Sequence, residues 1–200
     1  MNYILAFLVF SGLIATGSAM SCVTCVDYGK GIKNCKGDVQ QCENDDDFCV
    51  TQKESSKIGT DDIITVRKRC LPAADRDVCQ PEPMPLDCGN MTFYLYSECC
   101  FEDECNSKEL HMPAINKAKN GHQCPTCFAE DIDKCPETKL KDCTGSAKAC
   151  FDFSGHVQRA GNVDRLYAFK GCADNNLCKI DLTNMPGCKV GSNAKFACTY

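Results

Sequence analysis

The chain has no tryptophan and only three histidines, His111, His122 and His156. It contains neither a His-Glu-x-x-His helix motif nor a Gly-x-Ser-x-Gly elbow. The adjacent pair Cys99-Cys100 is followed by Phe101, Glu102, Asp103 and Glu104, with no histidine beside it. No catalytic residues are assigned, and an enzyme is not expected. No segment keeps a helical hydrophobic period. Apolar runs are also scarce. One spans Tyr3 to Ala15, shorter than the roughly 20 residues a membrane span requires, and no other occurs. With Gly17 and Ala19 after it, this run reads as a secretory signal peptide over residues 1–19, cleaved after Ala19. The chain ends Phe196-Ala-Cys-Thr-Tyr200, without the hydrophobic tail of a glycolipid-anchor signal. The expectation is a secreted, extracellular product with no membrane anchor.

Cysteine is abundant, at 20 in 200 residues. In a chain bound for an oxidising compartment, that frequency marks a disulfide scaffold. With so much of the apolar fraction taken by cysteine, a core of ordinary size is not expected; staples worth roughly 2–4 kcal/mol each make up the deficit. Zinc or thioredoxin-like roles for Cys22-x-x-Cys25 and Cys124-x-x-Cys127 fit poorly without helices and behind a signal peptide. No metal or cofactor is expected. Glu43 with Asp45, Asp46 and Asp47 lacks EF-hand spacing and reads as a solvated loop tip.

Net charge is −5. From Cys22 to Asn106 there are 9 basic and 17 acidic residues, net −8; from Cys124 to Tyr200 there are 10 and 9, net +1. An acidic first half disfavours nucleic acid, anionic membranes and lytic activity, and suits basic protein partners.

Cysteine spacing repeats. Cys22, Cys25, Cys35, Cys42, Cys49, Cys70, Cys79, Cys88 and Cys99 have intervals of 2, 9, 6, 6, 20, 8, 8 and 10 residues. Cys124, Cys127, Cys135, Cys143, Cys150, Cys172, Cys178, Cys188 and Cys198 have 2, 7, 7, 6, 21, 5, 9 and 9. Two homologous domains follow, 20–106 and 124–200, joined by a linker over 107–123. The first adds Cys100, Cys105 and Asn106. Strands are expected at Cys49–Gln52, Ile63–Cys70, Thr92–Ser97, Leu166–Lys170 and Lys195–Cys198, where β-branched and aromatic residues alternate with polar ones. Gly59 and Gly161-Asn162 mark turns between them. The fold class is all-β, in two tandem disulfide-rich domains. Arg67, Lys68 and Arg69 read as an exposed strand face.

The ending Cys99-Cys100-x4-Cys105-Asn106, after Cys22-x2-Cys25, Cys35, Cys42, Cys49, Cys70 and Cys79, resembles the three-finger domain of urokinase receptor and lymphocyte-antigen proteins. Two tandem copies, with Asn120-Gly121-x2-Cys124-Pro125, Cys143-Thr-Gly145 and Lys170-Gly-Cys172 in the second, are similar to gamma-type phospholipase A2 inhibitors and to sodefrin-precursor-like pheromone factors. The resemblance implies the pairs Cys22–Cys49, Cys25–Cys35, Cys42–Cys70, Cys79–Cys99 and Cys100–Cys105. In the second domain it implies Cys124–Cys150, Cys127–Cys135, Cys143–Cys172 and Cys178–Cys198. It also implies that Asn106 hydrogen-bonds backbone beside the knot. Cys88 and Cys188 remain, at equivalent places in the repeat. A Cys88–Cys188 bond between the domains is expected; a bond between chains, or a register in which Cys88 replaces Cys79, are the alternatives. Asn90-Met91-Thr92 is an N-glycosylation sequon.

The resemblance implies a secreted, non-enzymatic protein-binding module. The first expectation is a surface inhibitor of a secreted phospholipase A2. The alternative is a courtship pheromone acting as a whole folded protein on a chemosensory receptor. In either case the fingertips are the expected contact surface, with loops such as Lys53–Asp62 and Val157–Arg165 free to vary; solvated hairpin tips are the alternative. Oligomeric state is not fixed by the sequence.

Overall fold

The computed structural model describes residues 19–162, 164–182 and 185–200. The signal peptide expected over 1–19 therefore lies outside the described residues, apart from Ala19.

The regular secondary structure among the described residues is nearly all strand. In the first domain β1 (Ser21–Gly29) pairs with β2 (Asp38–Gln41) and with β4 (Asp61–Leu71), and β3 (Phe48–Ile58) lies between β4 and β6 (Met91–Cys100). The short strand β5 (Met84–Asp87) pairs with β6. In the second domain β7 (Lys119–Glu130) pairs with β8 (Lys139–Thr144) and β10 (Asp164–Asp174). Strand β9 (Ala147–Arg159) carries β10, β11 (Cys188–Val190) and β12 (Lys195–Thr199). Helical structure among the described residues is limited to short 3-10 turns such as Ala73–Val78 and Leu177–Lys179. β7 begins at Lys119, inside the stretch read as linker.

Alternation explains the long strands. Along β6, Met91, Phe93, Leu95 and Ser97 are buried while Thr92, Tyr94 and Tyr96 are half-buried. Along β9, Ala147, Ala149, Phe151, Phe153, Gly155 and Val157 all point inward. This is the period of two that a pleated strand imposes. The β3–β4 hairpin turns on Gly59, whose φ of +58° is left-handed, where glycine carries no Cβ penalty.

Nine disulfides occur among the described residues. They join Cys22 to Cys49, Cys25 to Cys35, Cys42 to Cys70, Cys79 to Cys99 and Cys100 to Cys105 in the first domain. They join Cys124 to Cys150, Cys127 to Cys135, Cys143 to Cys172 and Cys178 to Cys198 in the second. Asn106, 4% exposed, fills the space beside the first knot. Its Oδ1 accepts the Val23 amide at 2.9 Å, and its Nδ2 donates to the carbonyls of Val23 at 2.9 Å and Val50 at 3.3 Å.

The expected Cys88–Cys188 bond is absent: both are free thiols. Cys88 lies against Gly171, whose partner on β9 is Phe151. Cys188 is paired with Arg159, eight residues further along β9. At ~3.3 Å per residue that separates the two places by about 26 Å along the strand, against the roughly 7 Å between Cα atoms that a disulfide tolerates.

The small-core expectation also fails. A single apolar cluster runs through both domains, from Phe48, Leu86, Phe93 and Leu95 to Phe151, Phe153, Phe169 and Leu177. Its origin is a junction between sheets: β5 of the first domain pairs with β10 of the second, Leu86 with Ala173 and Asp87 with Cys172. All the strands thus join into one connected sheet, whose two halves enclose a common core. Each domain alone is short of apolar surface; together they bury one shared interior.

Candidate interaction surface

Besides the strand pairing and the shared core, four close contacts among the described residues mark the junction. First, Gly171 lets the backbones meet. A methyl group there would stand 2.2 Å from the Asp87 carbonyl oxygen, a distance that only displacement of backbone could relieve. Second, the Lys141 ammonium pairs with the Asp87 carboxylate beside it. Third, Arg159 at the end of β9 reaches the first domain's central hairpin. Its Nη1 lies 2.9 Å from Asp61 Oδ2, and its Nη2 donates to the Ser56 carbonyl at 3.4 Å. Fourth, Glu54 on β3 accepts the Gly187 amide proton at 2.8 Å.

The stretches Lys53–Asp62 and Val157–Arg165 are therefore not two free fingertips. Glu54, Ser56, Asp61, Val157 and Arg159 meet at the joint between domains. The same strand period that exposes Lys57 turns Glu54 and Ser56 inward, onto the face the second domain covers.

Behind this joint is a cavity of about 80 Å³, walled chiefly by Phe93, Phe151, Phe153 and Phe169. The rings of Phe153 and Phe169 stack with centroids 4.6 Å apart. Glu54 stands at its edge, 3% exposed. Burial pushes its pKa up from 4.5 to about 7, against the opposing pull of the Gly187 amide and the Arg159 charge. The two thiols are likewise pushed up by burial, Cys88 next to Asp87 and Cys188 next to Glu54. They sit far from the low-pKa state that makes a cysteine nucleophilic.

The Arg67, Lys68 and Arg69 run is not an exposed face. Lys68 is 1% exposed, and its Nζ donates to the carbonyls of Ser107 at 2.9 Å and Lys108 at 2.8 Å. Lys53 Nζ holds the Leu110 carbonyl at 3.1 Å. These lysines pin the start of the linker to the sheet, a use that strand alternation cannot reveal.

The remaining candidates disperse. Asp47 is turned inward, and its carboxylate accepts from the Asn44 amide at 3.1 Å; it closes a turn instead of facing an ion. The close sulfur clusters Cys22, Cys42, Cys70 and Cys124, Cys143, Cys172 are made of disulfide sulfurs, which offer no thiolate. His111 lies 3.7 Å from Glu109 and His156 lies 3.5 Å from Asp164, both at exposed positions. His122 lies 3.5 Å from the disulfide sulfur of Cys150. Among the described residues no histidine meets a free nucleophile. Asn90 is exposed on the turn after β5.

What stays open is surface. Val26 and Tyr28 on β1 are 59% and 50% exposed, and Val39, Phe101, Leu140 and Phe196 are also turned outward. Two repeats of a disulfide-held β scaffold define a three-finger protein of two domains.

The chain belongs to the u-PAR/Ly-6 domain family, which matches at residues 18–108 and again at 120–198. A gamma-type phospholipase A2 inhibitor of Elaphe climacophora is 29% identical over 181 residues, covering 89% of this chain and 86% of that protein. Its namesake from Laticauda semifasciata is 27% identical, covering 80% and 85%. Protein RoBo-1 of Rattus norvegicus is 31% identical over 83 residues, 42% of this chain and 33% of its own length. Among solved structures, mouse TEX101 aligns with a TM-score of 0.41 at 17% identity, covering 90% of this chain and 98% of that one.

Proposed function

We propose that this chain is a secreted, non-enzymatic binding protein that captures a secreted phospholipase A2 by surface contact and inhibits it. The observation that carries the reading is the reach of the similarity: relatives named as phospholipase A2 inhibitors align across both domains. The junction adds a physical reason why both domains matter. A body fixed by a shared core, an edge-to-edge strand pair and buried polar contacts loses little conformational freedom when it binds. The acidic first half, net −8 from Cys22 to Asn106, would draw a basic enzyme and exclude acidic ones. Secretion would depend on the amino-terminal leader, and Asn90 would carry a glycan once in the secretory pathway. The pheromone alternative draws no support from these relatives.

Titration of the purified protein against a panel of secreted phospholipases A2 tests the reading. Saturable inhibition of at least one basic enzyme, weakening as salt rises, is expected. No inhibition of any enzyme at micromolar protein would overturn it.

A further inference from the structure

The junction leaves a groove of about 510 Å³ on the outside of the molecule, between β1 of the first domain and the β9–β10 tip and β11 edge of the second. Its walls include Val26, Tyr28, Arg67, Arg159, Gly161 and Lys189. Among the described residues no aspartate or glutamate lines it, although the first domain around it is net −8.

The groove's floor is set by strand register. Val26 stands directly opposite Arg67, and Tyr28 opposite Thr65, so Val26, Tyr28 and Arg67 share one face of the sheet. Tyr28 closes one end against the second domain: a methyl group at Gly161 would stand 3.1 Å from its ring. The groove therefore exists only while the domains are docked.

Its charges are unevenly used. Arg159 is already paired with Asp61. Arg67 is half-buried and makes no ion pair among the described residues. Burial alone pulls its pKa down, with no carboxylate acting to raise it. Lys189 stands exposed at the rim. A guanidinium that has lost part of its hydration without gaining a counter-charge is stabilised by any anion that completes it. Beside it, the exposed Val26 and Tyr28 offer apolar contact. Tyrosine and arginine are among the residue types enriched where binding energy concentrates at protein interfaces, and both line this concave patch.

We infer that this groove is a docking site for an acidic, apolar-flanked polypeptide segment of a partner protein, whose carboxylate pairs with Arg67 and Lys189 while a neighbouring apolar side chain packs on Val26 and Tyr28. The inference rests on the binding-protein reading above and narrows it to one surface and one chemistry. Because the groove's sign is opposite to that of the domain around it, its task is local pairing and not long-range steering.

A random peptide library displayed on phage, panned against the whole protein, tests the inference without naming a partner. Enriched peptides are expected to place Asp or Glu next to Leu, Phe or Tyr. Binding of such a peptide is expected to fall about tenfold or more in Arg67→Glu with Lys189→Glu. It should weaken in Val26→Ser, a change at an exposed position that leaves folding alone, and hold in Lys148→Glu, on exposed β9 surface outside the groove. Enrichment without acidic residues, no enrichment, binding unaffected by the groove variants, or binding only to phosphatidylserine vesicles would each overturn it. The outcomes separate from the inhibitor reading. Peptide capture without inhibition of any enzyme overturns that reading and keeps the groove; inhibition without acidic peptide capture does the reverse.

Discussion

Glu54 and Gly187 lie 133 residues apart in the chain, yet the Glu54 carboxylate accepts the Gly187 amide proton at 2.8 Å. A methyl group on Gly187 would stand 2.3 Å from the other carboxylate oxygen. The contact places a titratable group in the joint between the two domains and makes the joint sensitive to pH.

Glu54 has its folded pKa raised to about 7 from 4.5. Between those values the folded protein holds a proton that the unfolded chain has released. The stabilisation from this group is therefore complete below about pH 4.5 and is lost as pH rises to about 7. The span corresponds to up to about 3 kcal/mol. Urea unfolding from pH 5 to 8 is expected to show stability falling with pH, and Glu54→Gln is expected to flatten that slope and exceed the parent above pH 7. A slope unchanged in Glu54→Gln would contradict the assignment.

Asn106 satisfies Val23 and Val50 at once. Asn106→Ala takes this partner from the half-buried amide and carbonyl of Val23 and from the buried carbonyl of Val50, at a cost of roughly 2–3 kcal/mol. Denaturant melts under non-reducing conditions measure this, with all nine disulfides intact in the variant as in the parent.

The two unpaired thiols give a direct chemical readout. Iodoacetamide at neutral pH is expected to leave Cys88 unmodified in the folded protein and to reach Cys188 slowly, because burial raises both pKa values. In denaturant two thiols per chain should react. Peptide mapping that recovers a Cys88–Cys188 disulfide would contradict the structure.

Asn90 is exposed in an Asn-Met-Thr sequon. Protein from a secreting eukaryotic host should carry a glycan removable by amidase. Asn90→Gln should abolish it without changing the melting temperature by more than a degree or so, as expected for a surface change.

The strand with plain alternation, Met91 to Ser97, is legible because it writes its burial pattern locally. β5 is not. It is short, carries Pro85 and follows Pro83, and no strand is expected there. Proline removes a ladder donor, and only Leu86 and Asp87 pair with β10. Its partner lies in the other domain, and no local signal names it. The same holds for Glu54 and Lys68. Each has the residue type of an exposed strand position, and each is buried by chain that arrives from far along the sequence: the second domain over Glu54 and the linker over Lys68. Cysteine spacing revealed two repeats, but repeats alone do not say that their sheets join. Cys88 and Cys188 hold equivalent places in the repeat, yet in the joined sheet they face different neighbours, Lys141 and Glu54.

The two domains are expected to bind a partner as one body. Gly171→Val tests it most directly, since a side chain there collides with the Asp87 carbonyl and the Cys88 backbone and separates β5 from β10 without replacing any cysteine. A secreted phospholipase A2 that the parent inhibits is titrated with parent and variant. The prediction is that the variant keeps its nine disulfides and loses about tenfold or more in affinity. Equal inhibition by both, with the variant's domains shown by scattering to have come apart, would contradict it.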